Sequence, residues 1–158
     1  MITNARARKV SGLLLFRNVD LCEYPFRPLA LELCNEASAQ GLPFKVWETY
    51  RATTTQRAYY AKGRTEPGSK ITNARPGFSA HEWGFAVDLV LDLPGINPWD
   101  TSVSMMGYWQ RLGELAKAKG LQWGGDWRFK DYPHIQLKDW RKHRPENWKE
   151  LVRYRLGG

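Results

Sequence analysis

Two short segments hold residues whose types and spacing could bind a catalytic metal: Ser79-Ala80-His81-Glu82-Trp83-Gly84-Phe85-Ala86-Val87-Asp88 and Asp131-Tyr132-Pro133-His134-Ile135-Gln136. His81, Asp88 and His134 supply two imidazoles and one carboxylate. Three protein ligands of this kind leave the fourth tetrahedral position of zinc open to water, which distinguishes a catalytic site from a closed structural one. Asp131, just upstream of the second histidine, is a spare carboxylate. Bound zinc lowers the pKa of water from about 15.7 towards 7 and polarises a carbonyl. A carboxylate within hydrogen-bond reach can take the water's proton and pass it to a leaving amine. Arg51, always cationic, can oppose the charge that develops on a tetrahedral carbonyl oxygen. These are the parts of a hydrolase that works without a covalent enzyme intermediate.

The flanking sequence explains how such groups could meet. Phe85 to Leu91 is rich in β-branched and aliphatic residues and reads as a largely buried strand. Gly84, Ala86 and Asp88 share one face of it, and the two small residues leave room beside the carboxylate, while Phe85, Val87 and Leu89 can pack a core. His81 falls in the turn entering this strand. Around the second histidine, His134 and Gln136 point one way and Ile135 and Leu137 the other, with Pro133 suited to an edge or a strand start.

Upstream, residues 28–40 read as an amphipathic helix through Leu29, Leu33 and Ala37 with a stop at Gly41. Phe44 to Tyr50 alternates as a half-buried strand and delivers Arg51 at its end. A threonine-capped helix over 54–62 stops at Gly63, and a long loop over 66–78 could border a cleft. A Pro/Gly loop over 92–98, a helix over 104–119 ending at Gly120 and a short helix over 145–154 complete the chain. The expected architecture is α+β: a small antiparallel sheet with helices packed against it and the zinc site on the sheet. No repeat, low-complexity tract or linker divides the chain, so residues 1–158 are expected to form a single catalytic domain without a separate wall-binding domain.

These residues resemble the zinc peptidases that include D-alanyl-D-alanine carboxypeptidases and dipeptidases and the L-alanyl-D-glutamate endopeptidases of bacteriophages and bacilli. The family pattern Ser-x-His-x-x-Gly-x-Ala-x-Asp is met at Ser79, His81, Gly84, Ala86 and Asp88, and its Asp/Glu-x-x-His at Asp131 and His134. The resemblance extends over roughly residues 42–137, through Thr49-Tyr50-Arg51, Gln56 to Thr65, Ile71 to Ala74 and Trp123-Gly124-Gly125-Asp126-Trp127, and is strongest to the endopeptidase branch. It implies that His81, Asp88 and His134 bind Zn2+, that Asp131 is the general base, and that Arg51 positions or polarises the substrate carbonyl. Ser79 and Gln56 match substrate-binding or site-supporting positions. It also implies a peptidoglycan-degrading endopeptidase with bacterial stem peptides as partners; the chain is expected to be a monomer.

Several residues have plainer readings. Asp131 could serve only the Asp-Tyr-Pro turn, in which case Asp126, itself placed like a turn residue, is the substitute base. Arg51 could merely lead into Thr53-Thr54-Thr55. His143 lies in the run Arg141-Lys142-His143-Arg144, where neighbouring cations oppose a second metal.

The net charge of +8 favours anionic partners, and without a zinc-finger spacing or aromatic RNP run no nucleic acid is expected. The anionic cell wall fits better. No apolar run approaches the roughly 20 residues of a membrane span; Val10 to Phe16 is far shorter. Cys22 and Cys34 are too few for a disulfide scaffold and are expected to be free thiols, with one loop-closing disulfide as the alternative in an oxidising space. Asn18 to Glu23 follows the first apolar run where a cleavage site would need small residues, so no signal peptide is expected. Given the resemblance, this suggests a phage endolysin made in the cytoplasm of the infected bacterial host and reaching the wall after release. Two other activities remain open: a D,D-carboxypeptidase or dipeptidase on the same scaffold, and a non-catalytic, zinc-stabilised wall-binding module.

Overall fold

The computed structural model describes residues 5–10 and 13–158, with side chains from residue 15 onward. Strands β1 (Ala5–Val10) and β2 (Leu13–Arg17) pair antiparallel as a separate hairpin. The main sheet is antiparallel throughout and has four strands: β3 (Phe44–Glu48), β4 (Ala86–Leu91), β5 (Gln122–Trp123) and β6 (His134–Gln136), in the spatial order β3-β4-β6-β5. The helices are α1 (Phe26–Ala39), α2 (Thr53–Ala61), α3 (Val103–Ala118) and α4 (Trp148–Arg155). The α+β architecture expected from the sequence is the one observed.

Register is what makes the sheet a scaffold for chemistry. On the central strand β4, Asp88 faces His134 of β6 on one side and Glu48 of β3 on the other. Val87 pairs with Ile135, and both are fully buried. Because successive side chains alternate between faces, fixing Val87 and Ile135 in the core holds Asp88 and His134 together on the opposite face. A slip of one residue would exchange the two sets.

Two helices supply most of the packing under the sheet. Phe26, Ala30, Leu33 and Ala37 of α1, and Trp109, Leu112, Leu115 and Ala116 of α3, join Phe44, Val87, Leu89 and Ile135 in one core. Each fully buried leucine of this set contributes about 1.5–3 kcal/mol through removal from water. The Phe44 and Trp109 rings meet at 5.0 Å. Helix α4 seats on the residue 77–78 turn, with the Phe78 and Trp148 rings edge to face at 5.2 Å.

The elements differ from the sequence expectation mainly at their ends. α1 begins at Phe26, so Pro28 lies inside its first turn, where a missing N–H costs no intrahelical bond. α2 begins after Ala52, whose methyl group cannot cap it, and the threonines lie within the helix, with Thr53 and Thr55 buried. Strand β5, only two residues long, is too short for any periodicity to announce. Cys22 and Cys34 are free and buried. Burial, with Cys34 nearby, pushes the Cys22 thiol up to about 12, and burial alone does the same to Cys34, so both are unreactive as thiolates. Among the described residues, no helix is long and apolar enough to cross a membrane.

Candidate metal centre

His81 is carried by a single 3-10 turn, Ala80–Trp83, that ends at Gly84 in the left-handed region (φ 76°). A side chain at Gly84 would be strained by this backbone, and its Cβ would lie 2.9 Å from Glu23. The buried Glu82 carboxylate holds the approach to the turn: both its oxygens accept the Gly77 amide at 2.9 Å, and one accepts the Ser79 amide at 3.2 Å. Burial raises the Glu82 carboxyl despite these amide bonds.

The turn is fastened to the end of β3 at two points. The Arg51 amide donates to the His81 carbonyl at 3.1 Å, and His81 Nδ1–H donates to the Thr49 carbonyl at 2.6 Å. A carbonyl can only accept, so Nδ1 carries the proton and the Nε2 lone pair faces the site. For His134 the roles of the two nitrogens are reversed. Its Nε2 bonds Gln136 Oε1 at 2.9 Å, and Gln136 Nε2 donates onward to Gln122 Oε1 at 2.9 Å, which leaves Nδ1 towards Asp88.

Asp88 Oδ1 lies 3.2 Å from His81 Nε2 and 3.1 Å from His134 Nδ1. Burial would raise its carboxyl, but the two histidines outweigh burial and hold it well below the usual carboxylate range. One ligand atom from each of the three residues lies within 4.8 Å of the others. Ligands at zinc distances of about 2.0–2.2 Å stand roughly 3.3–3.6 Å apart in a tetrahedron, so the two shortest separations fit after an outward shift of a few tenths of an ångström. Buried imidazoles with their outer N–H groups occupied are the donor arrangement zinc favours. The residues fit a zinc ion.

The three residues lie in a cleft of about 1580 Å³ that is also lined by Arg51, Ser79 and Asp131. Asp131 packs on Gly124; its amide donates to the Gly124 carbonyl at 3.0 Å, and its own carbonyl accepts the His134 amide at 3.2 Å. Asp131 as a whole is exposed, but partial desolvation of its carboxyl raises its pKa; His134 opposes the rise and Asp88 adds to it. Arg51 is 8% exposed: Nε donates to Glu48 Oε1 at 3.0 Å, Nη2 to Glu48 Oε2, and Nη1 to Gln56 Oε1 at 2.9 Å. These bonds engage three of the five guanidinium N–H groups. Nη2 also stands 3.9 Å from Asp88 Oδ2. Gln56 is wholly buried and spends its amide on Arg51 and the Ala74 carbonyl, at 2.7 Å, so it supports the wall of the cleft. Ser79 lies at the cleft surface, 8% exposed.

Asp126 pairs with Lys117 at 3.0 Å and does not line the cleft. His143 is exposed, 5.8 Å from the Phe85 ring between centroids, and is not one of the clustered ligand residues. The sequence reading overlooked Glu48, Gln122, the Thr49 carbonyl and any role for Gln136. A signal for Glu48 existed, because it shares the parity of Phe44 and Val46 on an alternating strand, and an acid at a core position demands a partner. Nothing local marks the Thr49 carbonyl.

Comparison with known proteins bears on this same region. Residues 72–137 match a peptidase M15 family model described as D-alanyl-D-alanine carboxypeptidase. The peptidoglycan L-alanyl-D-glutamate endopeptidase CwlK of Bacillus subtilis (strain 168) is 37% identical over 107 residues; the match covers 64% of this chain and 64% of that protein, just under two thirds of the relative's length. The crystal structure of the L-Ala D-Glu endopeptidase ChiX of Serratia marcescens is similar with a TM-score of 0.55 and 25% identity, covering 80% of this chain and 86% of that one. The vancomycin-resistance D,D-pentapeptidase VanY, solved with Zn(II), shares the fold at a TM-score of 0.51 and 17% identity over 93% of this chain and 83% of its own. The matched segment begins at the Thr72 wall of the cleft and ends one residue past Gln136, so the similarity to this family takes in Asp131 and all three residues of the cluster that could hold a metal.

Proposed function

We propose that this protein is a zinc endopeptidase of bacterial peptidoglycan that hydrolyses the bond between L-alanine and D-glutamate in stem peptides, acting as a monomer. The observation that carries the reading is the convergence of His81, Asp88 and His134 in the same cleft that Asp131 and Arg51 enter. The similarity to CwlK and ChiX, each named for this bond, favours it over other peptides of the wall.

A zinc ion held by His81 Nε2, Asp88 and His134 Nδ1 would supply Lewis acidity and a more acidic water. Asp131 takes the proton of the attacking water and returns it to the departing D-glutamate amine; its raised pKa brings it closer to the working pH than an ordinary aspartate. Arg51 keeps one N–H on Nη1 and one on Nη2 outside the hydrogen bonds to Glu48 and Gln56, available to the scissile carbonyl. Ser79 meets the substrate at the cleft surface, and Gln56 contributes through Arg51.

The substrate chemistry suits the rest of the cleft. Exposed Arg57, Lys62, Lys70, Arg128, Lys130 and Arg141 rim it, and stem peptides are rich in carboxylates. The endolysin role is the further reach of the same reading, supported by the resemblance to the phage branch. Mass spectrometry of purified muropeptides after digestion tests the bond: a new amino terminus on D-glutamate is expected, and free D-alanine would assign the carboxypeptidase activity. Muropeptides left intact by zinc-loaded protein would remove the enzymatic reading, and digestion of isolated walls without lysis of membrane-permeabilised cells would remove the endolysin role.

A further inference from the structure

We propose that Glu48 is a positioning residue for the metal ligand Asp88, acting through Arg51; the metal role of Asp88 rests on the function proposed above. Glu48 and Asp88 are register partners on adjacent strands, next to a bulge that lies between Val46 and Glu48. Two carboxylates are thereby set side by side on a poorly solvated sheet, Glu48 only 2% exposed. The Arg51 guanidinium stands between them. It grips Glu48 at two points and reaches Asp88 Oδ2 at 3.9 Å, too far for a hydrogen bond. Asp88 Oδ1 meanwhile faces both histidines. The two oxygens of Asp88 therefore have separate neighbours: Oδ1 the ligand cluster, Oδ2 a cation held just short of contact.

Glu48 sets that separation. A guanidinium with five donors, released from its bidentate partner, has Asp88 as its nearest remaining anion among the described residues, at 3.9 Å, with Glu82 and Asp131 beyond ion-pair distance. Closing the remaining distance would bind the ligand carboxylate to Arg51 and turn it from the histidines. Glu48 holds Arg51 back, while Gln56 on Nη1 and the Tyr59 ring, 4.9 Å from the guanidinium carbon, fix its plane. A purely structural role explains this poorly, since a buried ion pair is seldom more stabilising than an apolar pair of the same shape.

The test uses the purified full chain and zinc itself as probe. Glu48→Gln should fold, yet bind zinc about 10–100-fold more weakly in chelator competition, the range for loss of a group that orients a ligand. The visible spectrum of its cobalt-substituted form should change as the Asp88 ligand turns. Glu48→Gln combined with Arg51→Met should bring zinc affinity back towards wild type, because the competing cation is gone, while hydrolysis stays low. Wild-type affinity and spectrum in Glu48→Gln, or a double variant weaker than the single one, overturns the proposal. Should Glu48→Gln fail to fold, the wild-type protein decides: the Arg51 Nε–H resonance should be protected from solvent exchange with and without zinc, and exchange as fast as at surface arginines overturns it. These readouts do not need turnover. A wild-type protein that cleaves no muropeptide but shows this zinc pattern keeps the positioning role and loses only the proposed reaction.

Discussion

Asp131 packs so closely onto Gly124 that a Cβ at residue 124 would lie 2.3 Å from the Asp131 carbonyl oxygen and 3.0 Å from the Asp131 Cβ. The glycine therefore sets where the spare carboxylate can stand. Gly124→Ala should push Asp131 away from the site while the histidines stay on their own hydrogen bonds. A displacement of about 1 Å can cost about 10²-fold in rate, so kcat should fall by that order with zinc affinity little changed. Kinetics and chelator competition on one preparation check this; an unchanged kcat would show that Asp131 tolerates the shift.

His134 is aimed by Gln136, which in turn bonds Gln122. Gln136→Leu removes the acceptor of the Nε2–H and should weaken zinc binding about 10–100-fold. Gln122→Leu, one bond further out, should do less. Equal losses from the two would mean that the whole chain of bonds, rather than the direct contact, orients the imidazole.

As the proposed base, Asp131 acts only when ionised, and partial desolvation of its carboxyl raises its pKa above the ordinary aspartate value of about 3.9. Turnover should therefore fall as pH drops through that raised value. Asp131→Asn should still bind zinc but lose about 10²–10⁴ in kcat, and its residual rate should lack this acid limb. A limb that persists in the variant belongs to another group.

Chelation should abolish hydrolysis and lower the melting temperature, because zinc bound only to the folded state stabilises it by about 2.7 kcal/mol when free zinc is a hundredfold above Kd. Calorimetry with and without zinc measures this. The cationic rim gives a second expectation: KM for anionic wall fragments should rise between low and physiological salt as screening shortens to about 8 Å. A salt-independent KM would mean that Arg57, Arg128, Arg141 and their neighbours play no part in capture.

Trp123 fills the space at Gly113, where an added Cβ would lie 2.2 Å from the indole. Alanine is intrinsically better than glycine inside a helix by about 1 kcal/mol, but overpacking of this depth costs towards the upper end of about 1–3 kcal/mol. Gly113→Ala should therefore destabilise by a net of about 2 kcal/mol in denaturant unfolding. A variant as stable as wild type would show that the Trp123 side chain can move aside.

The cluster that could hold a metal is legible in the chain itself, because His81, Asp88 and His134 sit in short segments whose strand parity alone places Asp88 and His134 on cleft-facing sides. The main strands and helices around them are legible as well, for their apolar periodicity is local and strong. Strand β5 is not, since two residues carry no period.

What the chain alone determined is which groups are present and which face of each element they occupy, because backbone geometry ties side-chain direction to residue parity. Which atoms face one another was decided by tertiary structure. The nitrogen that His81 turns towards Asp88 follows from the Thr49 carbonyl 32 positions earlier, and that of His134 from Gln136 beside it. The charge opposite Asp88 follows from a Glu48 on a neighbouring strand 40 residues away in sequence. Hydrogen bonds and ion pairs act over a few ångströms, and only the folded register brings such distant residues that close.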